Sequence, residues 1–178
     1  MIWVYLVQLF SIFYTSAEEP INWRIRRTLS WQDFKAAPVT TAPHAALTST
    51  SILINYRFGD KGLDYTIQCV FYPHKSWTKV QSPHILAHEQ GHFDISQLFT
   101  RKLYKELKNY RYNPRTAEAD IKSIYQRITN EQSAYQQLYD KETNFSRNPE
   151  GQRRWLERIE TELDELKDYA NYPQQYED

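Results

Sequence analysis

At Ser82-Pro83 the chain changes character, and that boundary constrains the fold more than any other feature. From about residue 21 to residue 80, short alternating apolar segments are separated by turn-forming residues. From residue 82 to about residue 170, apolar residues recur at helical spacing. Strands gathered before helices predict an α+β fold, in which helices pack against an antiparallel sheet. In the first half, Trp23-Arg24-Ile25-Arg26 alternates like a half-buried strand, and Leu29 to Phe34 resembles a short turn or helical start. Pro38 to Pro43 is a loop. Thr50 to Phe58 predicts a strand, Gly59-Asp60-Lys61-Gly62 a hairpin turn, and Leu63 to Tyr72 its return, ended by Pro73. In the second half, Ser82 is an N-cap candidate and Pro83 suits the first helical position. That helix runs to about Tyr110, and Asn113-Pro114 breaks the chain. A second helix starts near Thr116, with Ile121, Ile124, Ile128 and Leu138 at helical spacing. Asn148-Pro149-Glu150 opens a third, with Trp155, Ile159 and Leu163. Residues 171–178 resemble a frayed tail.

Residues 2–14 are nearly all apolar or small, and Thr15-Ser16-Ala17 follows. This run is too short to span a bilayer as a helix, but it suits a secretory leader cleaved after Ala17. The reading is a signal peptide over residues 1–17 and a single domain over residues 18–170, secreted or periplasmic, without stable membrane insertion once the leader is removed. The 22 basic and 22 acidic residues balance, so no long-range field marks a nucleic-acid partner. The one cysteine, Cys69, lies in an alternating apolar stretch and reads as buried strand filler.

The predicted first helix carries His88-Glu89-Gln90-Gly91-His92. Residues four apart share a helix face, so His88 and His92 can aim imidazole nitrogens at one ion about 2 Å away. Glu89, about 100° further round, falls where a carboxylate can take a proton from water at an open metal position. Gly91 suits a close approach beneath a crossing element. His84 extends the face to i, i+4 and i+8, but the outer pair are about 12 Å apart along the axis. It therefore reads as a surface residue or a support rather than a ligand.

These residues, preceded by Ile85-Leu86-Ala87 and followed by Phe93-Asp94-Ile95, resemble the DUF922 family of bacterial proteins, taken as secreted zinc-dependent proteases. A second stretch agrees with it: Tyr139-Asp140-Lys141-Glu142-Thr143, with Gln152 and Trp155 following. The resemblance spans roughly Trp23 to Ile159. It implies a zincin-like fold, an N-terminal antiparallel sheet packed on the HExxH helix with two long helices following. It also implies a zinc cofactor and a polypeptide substrate. The family pattern continues to a histidine that would be the natural third zinc ligand, and here Phe145 stands in its place. No histidine occurs after His92. A third ligand is then His44, His74 or one of the carboxylates Glu118, Glu131, Asp140 and Glu142, or it is absent. Analogy with a glutamate on a following helix favours Glu118 or Glu131. Asp140 also reads as a helix cap or a partner of an imidazole N–H.

The function read from the sequence is an exported zinc metallopeptidase, with His88 and His92 as metal ligands and Glu89 as the catalytic base. The alternative is a catalytically degenerate zincin-like exported binding protein that lacks a complete metal site. Tyr139 is a possible donor to a tetrahedral oxyanion, or a packing residue.

Overall fold

The computed structural model describes residues 19–59 and 62–175. The leader read over residues 1–17 lies outside the described residues, as do Asp60 and Lys61 of the hairpin turn. The architecture is α+β. Among the described residues, five strands, β1 (Ile21–Asn22), β2 (Ala46–Leu47), β3 (Thr50–Gly59), β4 (Gly62–Phe71) and β5 (Trp77–Thr78), precede three α-helices, α1 (Pro83–Asn109), α2 (Ala117–Thr143) and α3 (Pro149–Glu165).

The long hairpin forms where alternation predicts it. β3 and β4 pair antiparallel from Thr50↔Phe71 to Gly59↔Gly62, and Gly62 adopts φ +101°, a left-handed value that L side chains resist. Their inward residues, Ile52, Ile54, Ile67 and Cys69, pack towards α1. Cys69 is fully buried, and burial pushes its thiol pKa up, as suits inert filler. β1 joins the other edge of β4, giving sheet order β1-β4-β3. β2 and β5 form a separate two-stranded ribbon. Strands of two residues carry no periodic signal, and the sequence gives no sign of them.

Two expectations need correction. Trp23 to Arg26 is not a strand. Only Trp23 N–H continues the pairing, to Cys69 O at 3.0 Å, and Arg26 N–H then closes a turn on Asn22 O at 2.9 Å. The apparent alternation arises from residues sent in different directions: Trp23 to α1, Arg26 to Asp33, and Ile25 to solvent at 82% exposure. The tail is not frayed through residue 173 either. Tyr172 is 1% exposed and donates to Gln97 Oε1 at 2.9 Å, while Pro173 O accepts Ile67 N–H at 2.8 Å. The tail thereby covers the β4 edge beyond the two residues of β1.

The helix starts follow their caps. Ser82 Oγ accepts Ile85 N–H at 3.2 Å and Asn148 Oδ1 accepts Gly151 N–H at 3.0 Å, each with proline in the first turn. α1 is the central element, packed against β3, β4, α2 and α3, and every residue from Phe93 to Arg101 is buried. Its buried side chains Ile95, Leu98 and Leu103 meet Ile128 of α2 and Ile159 and Leu163 of α3 in one core cluster. At about 1.5–3 kcal/mol for each large apolar side chain, that contact sets the helix orientation.

Two further residues of the motif act on the same helix. Gln90 accepts Leu29 N–H at 2.9 Å and donates to Arg27 O at 3.1 Å. Asp94 accepts Trp23 Nε1–H at 2.7 Å and two donors of Arg27 at 3.1 and 3.2 Å. Residues 23–29 are thus fastened to α1 beside the histidines.

Candidate metal centre

α2 brings its C-terminal end over the start of α1. The pairing can be followed along both helices: Gln132 reaches Ser96, Gln136 reaches His92, and Asp140 reaches His92 and His88. Each set advances by four residues, so one face of α2 meets one face of α1 in opposite directions. Asp140 Oδ1 lies 3.1 Å from His88 Nε2 and 3.1 Å from His92 Nε2, and the three ligand atoms fall within 4.8 Å of one another. Bonds of about 2.0–2.1 Å in a tetrahedron separate ligand atoms by about 3.3 Å, a spacing that the two Asp140–histidine distances match. His88, His92 and Asp140 could hold a metal ion.

The two histidines differ in protonation. Burial is the main influence on His88 and lowers its pKa, which favours the neutral ligand form. Burial also opposes charge on His92, but Asp140, Glu89 and Gln136 together outweigh it and bring that pKa up to about 8. Burial would raise Asp140, yet hydrogen bonds from both histidines hold it well below the usual carboxylate range. Without metal, the His92–Asp140 contact is a partly buried ion pair. A metal ion would displace that proton.

The side chains behind the trio orient it. Gln136 Oε1 pairs with His92 Nδ1, while Gln136 Nε2 donates to His92 O at 3.0 Å. An amide oxygen can only accept, so His92 carries its proton on Nδ1 and leaves the Nε2 lone pair for an ion. Tyr139 stacks on His88 with ring centroids 4.6 Å apart and donates to His88 O at 3.1 Å. It is fully buried, so it packs the ligand helix and is not an oxyanion donor. Gly91 lies beneath it, where a Cβ would stand 2.9 Å from Tyr139 Cζ.

Glu89 is 4% exposed and accepts Thr48 Oγ1–H on Oε2 at 2.7 Å. His88, His92, Asp140 and Glu89 all line an open cleft of about 530 Å³. Residues 45–50 line it as well. Ala45 O accepts from Lys79 N, Ser49 N donates to Ser76 Oγ, and Ser49 O accepts from Tyr72 N. Ala46, Thr48 and Thr50, which alternate with those paired residues, also line the cleft. Tyr125 Oη–H donates to Ile52 O at 2.8 Å, beyond these residues.

The other residues singled out in the sequence stand outside the trio, although His44 and Phe145 line the same cleft. Glu118 and Glu131, favoured by analogy, are exposed on α2, and Glu131 pairs with Arg127 at 3.3 Å. The antiparallel crossing carries them away from His88 and His92. Arg127 instead meets Glu106, near the far end of α1. Glu142 accepts Trp155 Nε1–H at 2.8 Å. His84 contacts Ser146 O at 2.6 Å, His44 stacks on Trp77, and His74 is exposed. Phe145 is 45% exposed at the cleft rim, in a left-handed turn with Asn144 and Ser146. It does not fill the metal position. Gln136 was missed, although Gln132, Gln136 and Asp140 at four-residue spacing were a readable polar stripe.

The fold and site thus define an α+β protein with a two-histidine, one-carboxylate centre that could hold a metal. Residues 73–147 match the family described as "Bacterial protein of unknown function (DUF922)", and this segment belongs to that family. The segment contains both stretches that carry the resemblance, but it is shorter than Trp23 to Ile159. No curated protein and no solved structure matches the chain.

Proposed function

We propose that the protein is an exported zinc-dependent metallopeptidase on a zincin-like scaffold. The observation that carries this reading is the convergence of His88 Nε2, His92 Nε2 and Asp140 Oδ1 beside Glu89 in an open cleft. Two imidazoles and one carboxylate leave a coordination position open, the arrangement of catalytic rather than structural zinc sites. The same donor set also suits ferrous iron. A glutamate one residue after the first ligand favours hydrolysis, since it supplies a base. Bound there, zinc supplies a Lewis acid that polarises a carbonyl and lowers the pKa of water towards about 7.

Glu89 takes the proton from the attacking water and returns it to the leaving amine. Thr48 holds its carboxylate in place. A peptide in extended form can pair with the backbone of Ala46, Thr48 and Thr50, so the wall that orients Glu89 also aligns the substrate. Asp140 supports a complete site over a degenerate one, because the missing histidine at position 145 no longer implies a missing ligand.

Among the described residues, no helix is long and apolar enough to cross a membrane. Export rests on the leader read over residues 1–17. Metal analysis of the purified protein should give one zinc per chain rather than iron. Hydrolysis of casein or a peptide library should be abolished by Glu89→Gln with zinc retained. Zinc binding without hydrolysis of any peptide would overturn the peptidase assignment while leaving the metal centre.

A further inference from the structure

His92 has Gln136 behind it, whereas among the described residues the second ring nitrogen of His88 has no partner. Among the described residues, four buried side-chain polar atoms lack a hydrogen-bond partner: His88 Nδ1, Gln97 Nε2, Arg101 Nε and Gln152 Oε1. When Nε2 of His88 faces a metal, Nδ1 carries the proton and becomes a donor, so three of the four are donors. Gln152 Oε1 is the acceptor.

Its side chain lies against the turn of α1 that precedes His88. Gln152, on the first turn of α3, donates from Nε2 to His84 O at 2.8 Å. His84 O closes the helical turn that carries His88, and the Cα–Cβ bond of His88 tilts back along α1 towards that turn. Tyr139 covers one face of the ring. Gln152 itself is 2% exposed, so its oxygen cannot be satisfied by bulk solvent. A buried donor and a buried acceptor beside one turn of helix are the setting in which an internal water bridges two groups.

We infer that Gln152 is the positioning residue for His88, its Oε1 taking the Nδ1–H of the ring across one bridging water. Gln136 from α2 and Gln152 from α3 then hold the two histidines of α1 from two sides, each in the tautomer that directs Nε2 at Asp140. Both supports are amides rather than carboxylates. They fix the rings without adding negative charge to a site that already has Asp140 and Glu89.

This inference rests on the metal reading, and one experiment separates the two. The Zn²⁺ affinity of the full chain is measured by chelator competition for wild type, Gln136→Leu, Gln152→Leu and Gln152→Glu. Each leucine variant should bind zinc about tenfold to hundredfold more weakly, the usual effect of removing a partner behind a ligand. Gln152→Glu retains an acceptor oxygen but loses the N–H donated to His84 O, so it should bind more tightly than Gln152→Leu. In ¹⁵N-labelled zinc-loaded wild type, His88 should show a slowly exchanging Nδ1–H proton, lost in Gln152→Leu. Wild type that takes up no zinc overturns the metal reading and this inference with it. Gln152→Leu that binds like wild type while Gln136→Leu weakens overturns only the role of Gln152. If Gln152→Leu does not fold, a zinc-loaded wild type whose His88 Nδ1 carries no proton overturns that role as well.

Discussion

Gly91→Ala tests the packing that brings the two halves of the centre together, because two effects of opposite sign compete there. Gly91 lies within the long helix α1, where alanine is favoured over glycine by about 1 kcal/mol. Propensity alone therefore predicts stabilisation. The structure predicts the reverse. A Cβ on Gly91 would overlap Tyr139 Oη, stand 2.9 Å from Tyr139 Cζ and lie 3.2 Å from Leu156 Cδ2. Tyr139 is fully buried, with its ring stacked on His88 and edge-on to Trp155. It has no open side to move into. Overpacking of this kind costs about 1–3 kcal/mol, and the displaced Tyr139–His88 hydrogen bond adds about 1 kcal/mol. Set against the helical gain, the net effect is a loss of about 2 kcal/mol, or about 4–8 °C in Tm for a chain of this size. The assay is thermal unfolding of the metal-free protein in chelator, repeated on a Tyr139→Phe background. Phenylalanine removes the hydroxyl that overlaps but leaves the ring, so Gly91→Ala should cost about 1 kcal/mol less there. A Gly91→Ala protein with a raised Tm would refute the close approach of α2 to α1, and with it the placement of Asp140.

Three other outcomes follow from the same structure. Asp140→Ala should weaken zinc binding by more than the tenfold to hundredfold typical of an outer partner, while Glu118→Ala and Glu131→Ala leave it unchanged, as chelator competition would show. Tyr172→Ala should destabilise the fold by about 3–4 kcal/mol in denaturant unfolding, because a fully buried aromatic and its bond to Gln97 are lost. A loss below about 1 kcal/mol would restore the frayed tail. Asp33 gives a pH test. Burial alone would raise its pKa, but bonds from Arg26 and Ser30 outweigh it and hold the carboxyl below its usual range. A lowered folded pKa contributes stability that is present above about pH 3.9 and lost as pH falls through the folded value. The Tm gap between wild type and Asp33→Ala should accordingly be full above about pH 3.9 and narrow as pH falls further.

Much of the helical half was legible because its signals are local. A cap such as Ser82 with Pro83, or Asn148 with Pro149, acts within one turn and needs no knowledge of the rest of the chain. The β3–β4 hairpin was legible for the same reason, since alternation and a glycine at φ +101° are properties of consecutive residues. Trp23 to Arg26 failed because a short alternation does not reveal where each side chain finds its partner. The tail failed because polarity and terminal position say nothing of an uncovered strand edge.

The centre itself divides along the same line. From sequence alone, His88, Glu89 and His92 had to share one end of a single helix, because 3.6 residues per turn admits no other arrangement once that helix forms. The third donor could not be chosen there. Glu118, Glu131, Asp140 and Glu142 are all carboxylates on one helix, and the face that meets α1 depends on how two apolar stripes pack. Only the antiparallel crossing of α2 over α1, set by the buried contacts of Ile128 and Tyr139 and by the glycine beneath Tyr139, brings Asp140 rather than Glu118 to within 3.1 Å of both histidines.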